Sequence, residues 1–175
     1  MKLNKFLVAA ASFGFAASAF AVNPPNEGRG TIDFRGAIIQ APCSIDETKS
    51  TKEVNLGQVS DVLLADGGKS TPQDIKIVLA DCTVGVKNKV KTTITGPSDA
   101  VNADLLGITG TAAGAGIAIV DGSGTVIKMG EATPFQTLSS GENVLKFSAY
   151  LQGGAADTIK PGTFTSTATW SLTYE

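Results

Sequence analysis

Gly28-Arg29-Gly30-Thr31-Ile32-Asp33-Phe34-Arg35-Gly36-Ala37-Ile38 and Thr167-Ala168-Thr169-Trp170-Ser171-Leu172-Thr173-Tyr174-Glu175 are the two stretches on which the fold turns. The first puts Gly30, Ile32, Phe34, Gly36 and Ile38 on one face, and the second does the same with Ala168, Trp170, Leu172 and Tyr174. A period of two is the mark of a half-buried β-strand. The sequence ends one residue after Tyr174, so no further strand is expected to cover that last edge. An uncovered edge presents unpaired N–H and C=O groups and invites another chain to pair with it.

Working outward from these ends, the same period recurs. Asp74-Ile75-Lys76-Ile77-Val78-Leu79-Ala80-Asp81-Cys82 reads as a strand, as do Lys89 to Thr95 and Asn143 to Gln152. Val54 to Val59 reads as a short strand, and Ala41 to Ile45 as an extended segment broken by Pro42. Gly116 to Val120 and Thr125 to Met129 flank Asp121-Gly122-Ser123-Gly124, which predicts a hairpin. Thr163 to Tyr174 reads as one terminal strand, and residues 98–113 carry little pattern beyond Leu105 and Leu106. No segment has a sustained i, i+3, i+4, i+7 apolar stripe. The expectation is a single all-β sandwich of immunoglobulin-like dimensions.

The N-terminus reads as an export signal. Lys2 and Lys5 precede an apolar run from Phe6 to Phe20, and Ala19-Phe20-Ala21 fits cleavage after Ala21. The run is too short for a comfortable membrane span. Cleavage leaves 154 residues, the size of one domain. The signal holds two of the 14 basic side chains and none of the 16 acids, so the mature charge is −4. That balance gives no basic patch for a phosphate backbone, and nucleic acid is not an expected partner. Lys87-Asn88-Lys89-Val90-Lys91 reads instead as the solvated face and edge of a strand. Residues 22–29, with Pro24-Pro25, read as a mobile leader.

Cys43 and Cys82 are the only cysteines. In an exported chain they are expected to form one disulfide. Their separation of 39 residues corresponds to about 3–4 kcal/mol in the chain-entropy description. A metal site is the weaker alternative, because two thiols with no histidine anywhere in the chain make a poor ligand set.

Catalytic patterns are missing. Without histidine the commonest general base is absent, and no Gly-x-Ser-x-Gly occurs. Gly68-Lys69-Ser70 resembles the end of a phosphate loop, but Leu63 stands where that loop needs glycine. Gly110 to Gly116 lacks dinucleotide-binding spacing. The acids Asp46-Glu47 and Asp99 with Asp104 read as solvated loop residues. No enzyme, cofactor, metal or small-molecule substrate is expected.

Three features together resemble the pilin subunits of the bacterial chaperone–usher pathway. They are Phe34-Arg35-Gly36 running through Ala41-Pro42-Cys43-Ser44-Ile45, the strand Ile75 to Cys82 ending on the second cysteine, and Gly162 followed by alternation to the penultimate Tyr174. The resemblance spans the whole chain, signal included. It implies an immunoglobulin-like sandwich lacking its last strand, completed by a donor strand from another subunit. It implies a signal peptide over 1–21, a donor extension over 22–38 and a pilin domain over 39–175. Gly30, Ile32, Phe34, Gly36 and Ile38 would be the donor residues, with Gly36 where the acceptor wall leaves no room for a Cβ. Ala168, Trp170, Leu172 and Tyr174 would line the acceptor groove or the core beneath it. The implied partners are identical or related pilins, a periplasmic chaperone and an outer-membrane usher, and the implied location is a fimbrium on the cell surface. The implied role is that of a major rod subunit, since 154 residues leave no room for a receptor-binding domain. A minor adaptor or terminator pilin, and a self-sufficient secreted sandwich that binds a ligand, are the alternatives.

Overall fold

The computed structural model describes residues 30–175; the expected signal over 1–21 and the leader to Arg29 lie outside the described residues. The chain divides between Ile38 and Ile39 into two units. In the first, residues 30–38 form no strand, and Ile32 and Phe34 are 78% and 90% exposed. A Cβ built at Gly36 meets nothing within 4 Å.

The second unit is built of strands β1 (Ser44–Ile45), β2 (Gln73–Cys82), β3 (Lys89–Thr95), β4 (Thr109–Gly110), β5 (Ala115–Asp121), β6 (Gln136–Thr137), β7 (Gly141–Gly153), β8 (Phe164–Thr165) and β9 (Thr169–Tyr174). One four-residue helix, α1 (Asp61–Leu64), and two short 3-10 turns interrupt them. One sheet runs β1-β2-β7-β5, a second β6-β3-β9, and β4 pairs with β8, all antiparallel.

The alternation in β2 and β7 explains their pairing. Ile75 stands opposite Phe147 and Ile77 opposite Leu145, so these side chains enter the core together from neighbouring strands. Leu79 is fully buried. From the other sheet Val90 and Ile94 meet them, which makes one core between two layers. β5 is buried on both faces: Ile117 and Ile119 join the main core, while Ala118 and Val120 pack with Leu105 and Tyr150 in a second, smaller one. That arrangement places the stretch 98–113. Leu106 pairs with Ile117 along the edge of β5, so the adjacent Leu105 and Leu106 serve different cores.

Four expectations need correction. Val54 to Val59 is not a strand, because Gly57 takes a left-handed φ of +72° and donates its N–H to the Asn55 side chain. Thr125 to Met129 is not a strand either, although the turn before it forms as expected. There the Asp121 carboxylate accepts hydrogen bonds from the Ser123 hydroxyl and from the backbone of Ser123 and Thr125. The Ser123 hydroxyl is the main reason that carboxyl is held below its usual range. The terminal strand is two strands, β8 and β9, interrupted where the Ser166 hydroxyl donates to the Gly107 carbonyl at 2.6 Å. Finally, β3 is the middle strand of its sheet rather than an edge. Lys89 and Lys91 do alternate with the buried Val90 and Thr92, so the solvated-face part of that expectation holds.

Candidate strand-accepting groove

β9 hydrogen-bonds along one side only. Its register with β3 runs from Val90 opposite Tyr174 to Thr95 opposite Thr169. Among the described residues no strand pairs with its other side. Along β9, Trp170, Leu172 and Tyr174 are half-buried, while Thr169, Ser171 and Thr173 are exposed. The inward residues of β7, by contrast, are fully buried. The pattern is that of a core strand whose cover is incomplete.

A groove of about 1310 Å³ opens onto this incompletely covered core. Its floor is apolar and drawn from both sheets, with Ile77, Ile117 and Phe147 from one and Ile94 and Trp170 from the other. Residues 160–168 form one wall and residues 50–61 another. The second wall contributes Leu56 and Val59, half-buried against the core. No backbone–backbone hydrogen bond involves residues 52–59 among those described. The groove therefore combines an apolar floor with two stretches of unsatisfied backbone, which an extended strand could satisfy.

Ala168 and Trp170 line this groove. Leu172 and Tyr174 pack against the same core without lining it. Ala168 stands just before β9 rather than inside it. Cys43 and Cys82 are bonded to each other and buried, joining the start of β1 to the end of β2. The wall at 52–59 was not anticipated as a wall. Its apolar residues Val54, Leu56 and Val59 were visible, but only the tertiary placement makes them one side of a cleft.

Tyr174 carries a further feature: its hydroxyl is buried with no hydrogen-bond partner among the described residues. Burial pushes the phenol above its usual value near 10, because the anion is disfavoured. A raised value means the stabilising contribution is whole below pH 10 and is lost as pH climbs beyond it. An unsatisfied hydroxyl costs about 1–3 kcal/mol of desolvation. Tyr174→Phe should therefore leave stability at pH 8 unchanged or raise it by about 1 kcal/mol, and should flatten the loss between pH 10 and 12. Urea midpoints at pH 8 and pH 11 for both proteins check this.

An open-edged immunoglobulin-like sandwich with its core exposed along a groove is the class that this geometry defines. Comparison with known proteins supplies the family. The model of the fimbrial protein family matches residues 32–175, and the chain belongs to that family. It is 47% identical to the Fimbria A protein of Serratia marcescens over the full length of both chains. It is 43% identical to the Major MR/P fimbria protein of Proteus mirabilis (strain HI4320), again over both full lengths. A subunit of a chaperone–usher pilus, solved in connection with rod uncoiling, superposes with a TM-score of 0.74 at 31% identity, covering 85% of this chain and 97% of that one. The family is a structural one.

Proposed function

We propose that this protein is the repeating structural subunit of a fimbrial rod, and that it polymerises by donor-strand exchange. The observation that carries the reading is the groove: an apolar cleft beside a terminal strand that is hydrogen-bonded on one side only. The extension of a neighbouring copy supplies the strand. Its Ile32, Phe34 and Ile38 descend toward the floor, each worth about 1.5–3 kcal/mol if fully buried. Its backbone satisfies β9 on one side and residues 52–59 on the other, so the incoming segment becomes an interior strand of the sandwich rather than an edge.

The exposure of Ile32 and Phe34 supports this reading, since among the described residues the alternating face they define is left to solvent. In the periplasm a chaperone occupies the groove first, and an outer-membrane usher is the site of exchange. The product is a non-covalent fibre on the cell surface that supports adhesion, and it performs no catalysis.

Gly36 provides the sharpest test. No neighbour and no left-handed φ within its own chain demands glycine there. Where the groove wall approaches the donor backbone, an added side chain overpacks at a cost of about 1–3 kcal/mol. Gly36→Leu should leave the subunit's own unfolding unchanged and slow or weaken polymerisation by up to about a hundredfold. Polymerisation at the unmodified rate and extent would count against the assignment of Gly36 to a pocket.

A further inference from the structure

The two ends of the sandwich each leave apolar side chains in water. One end is marked by the cysteines: Cys43 is bonded to Cys82, Cys82 stands opposite Gly141, and the Lys89 N–H donates to the Glu175 carbonyl. From this end projects the turn that joins β2 to β3. Both feet of the turn are fixed, because the Thr83 N–H donates to the Pro42 carbonyl and the Asn88 carbonyl accepts from the Leu138 N–H, each at 2.8 Å. Val84 packs against the core, and Val86 at the tip is fully exposed.

Helix α1 stands at the other end of β7, where Gly153 leaves no room for a side chain beside the buried Leu64. The 13 residues of β7 span about 40 Å, so Val86 and α1 of one copy cannot meet. α1 continues the groove wall formed by residues 50–61, and its Asp61 and Leu64 line the groove, while Val62 and Leu63 turn outward and are exposed. The lining runs past the first residue of β9 to Gly162, whereas Leu172 and Tyr174 at the cysteine end do not line it. The groove therefore opens at the α1 end, and Val62 and Leu63 flank its mouth.

A donor strand brings its own domain with it. Only Ile39 to Pro42 separate Ile38 from the disulfide-anchored Cys43. Five Cα–Cα steps reach at most about 18 Å, so the cysteine end of the donating copy is held beside the groove end from which its Ile38 emerges. Exit at the α1 end gives every copy one neighbour at each end, and the contact propagates. Exit at the cysteine end would crowd two neighbours onto one end and leave the open mouth empty.

Resting on the donor-strand reading, we propose that the β2–β3 turn of the donating copy seats Val86 on Val62 and Leu63 of the accepting copy, at the mouth of its groove. A contact this small is too weak to join free molecules, but a four-residue link supplies a local concentration of about millimolar. Covering these side chains fixes the angle between successive copies, so residues 39–42 do not act as a free hinge.

The test uses the full mature chain carrying Val62→Cys and Val86→Cys, polymerised and then treated with a short bismaleimide. The two positions lie at opposite ends of one copy, so each link must join two copies. Denaturing electrophoresis is expected to show a ladder of covalent oligomers, with at least fivefold more product beyond the dimer than from Val62→Cys with Val144→Cys. Val144 is exposed near the cysteine end of β7 but outside the turn. In a second measurement, Val62→Ser/Leu63→Ser/Val86→Ser should polymerise to the parent's yield while the persistence length of its fibres in electron micrographs falls at least twofold. Polymer with no ladder above the control, or serine-variant fibres as stiff as the parent's, overturns this contact and leaves the donor strand standing. A parent chain that does not polymerise removes the donor-strand reading and this contact together. Circular dichroism of each variant confirms that a lost cross-link is not a lost fold.

Discussion

Replacing Ile32 and Phe34 together by serine is expected to leave the subunit's own thermal unfolding unchanged while weakening its polymerisation by two to four orders of magnitude. The first half follows from exposure: substitutions at positions 78% and 90% exposed normally move stability by no more than about 0.5 kcal/mol. The second half follows from burial in another copy. Two large apolar side chains entering an apolar floor contribute about 3–6 kcal/mol together, and each 1.4 kcal/mol is about a factor of ten in affinity. The two effects are measured separately, by calorimetry of the monomer and by the amount and lifetime of polymer. A lower melting temperature would mean that the residues serve their own fold. Polymerisation at the original strength would mean that they are not donors.

Loss of the Cys43–Cys82 bond should be the most damaging change within the domain. The bond restrains 39 residues of unfolded chain, worth about 3–4 kcal/mol in the chain-entropy description. Whole domains are stable by only about 5–15 kcal/mol, and a sandwich with an open groove belongs at the low end of that range. The double variant Cys43→Ser/Cys82→Ser is expected to melt about 10–15 °C lower at this domain size, or not to accumulate folded. Both sulfurs are buried beside the short β1–β2 pairing, which the Thr83 N–H extends by donating to the Pro42 carbonyl at 2.8 Å. Reductant should have no effect until the domain opens, then a large one. A reduced protein that melts with the oxidised one would show that the bond contributes little.

The strands with regular alternation were legible in the sequence because both of their faces are simple. β2 and β3 each present one alternating face to the main core, and Ile75, Ile77 and Leu79 announce that face without help from elsewhere. Legibility failed where a local bond or a special φ overrode the pattern. The left-handed Gly57 ended the strand expected at 54–59, and the Ser166–Gly107 hydrogen bond divided the terminal one. It failed also where one segment serves two environments, as Leu105 and Leu106 do.

The groove was half legible. Trp170 and the half-buried face of β9 follow from alternation alone, and an uncovered terminal strand was expected. The opposite wall was not, because Val54, Leu56 and Val59 acquire meaning only when the fold lays them along the same cleft. The segment proposed as the donor lies at the other extreme. Its period of two is plain to read, yet Gly30 to Ile38 form no strand here. That unpaired strand pattern among the described residues is what the donor-strand proposal rests on.

The most direct measurement is to prepare residues 39–175 alone and follow their unfolding with and without a synthetic peptide covering residues 26–40. The account predicts a marginal or poorly soluble domain that the peptide converts into a very stable one, with dissociation too slow to follow on the time scale of the experiment. A domain that is already stable and indifferent to the peptide has a complete sheet, and would contradict the strand-accepting groove.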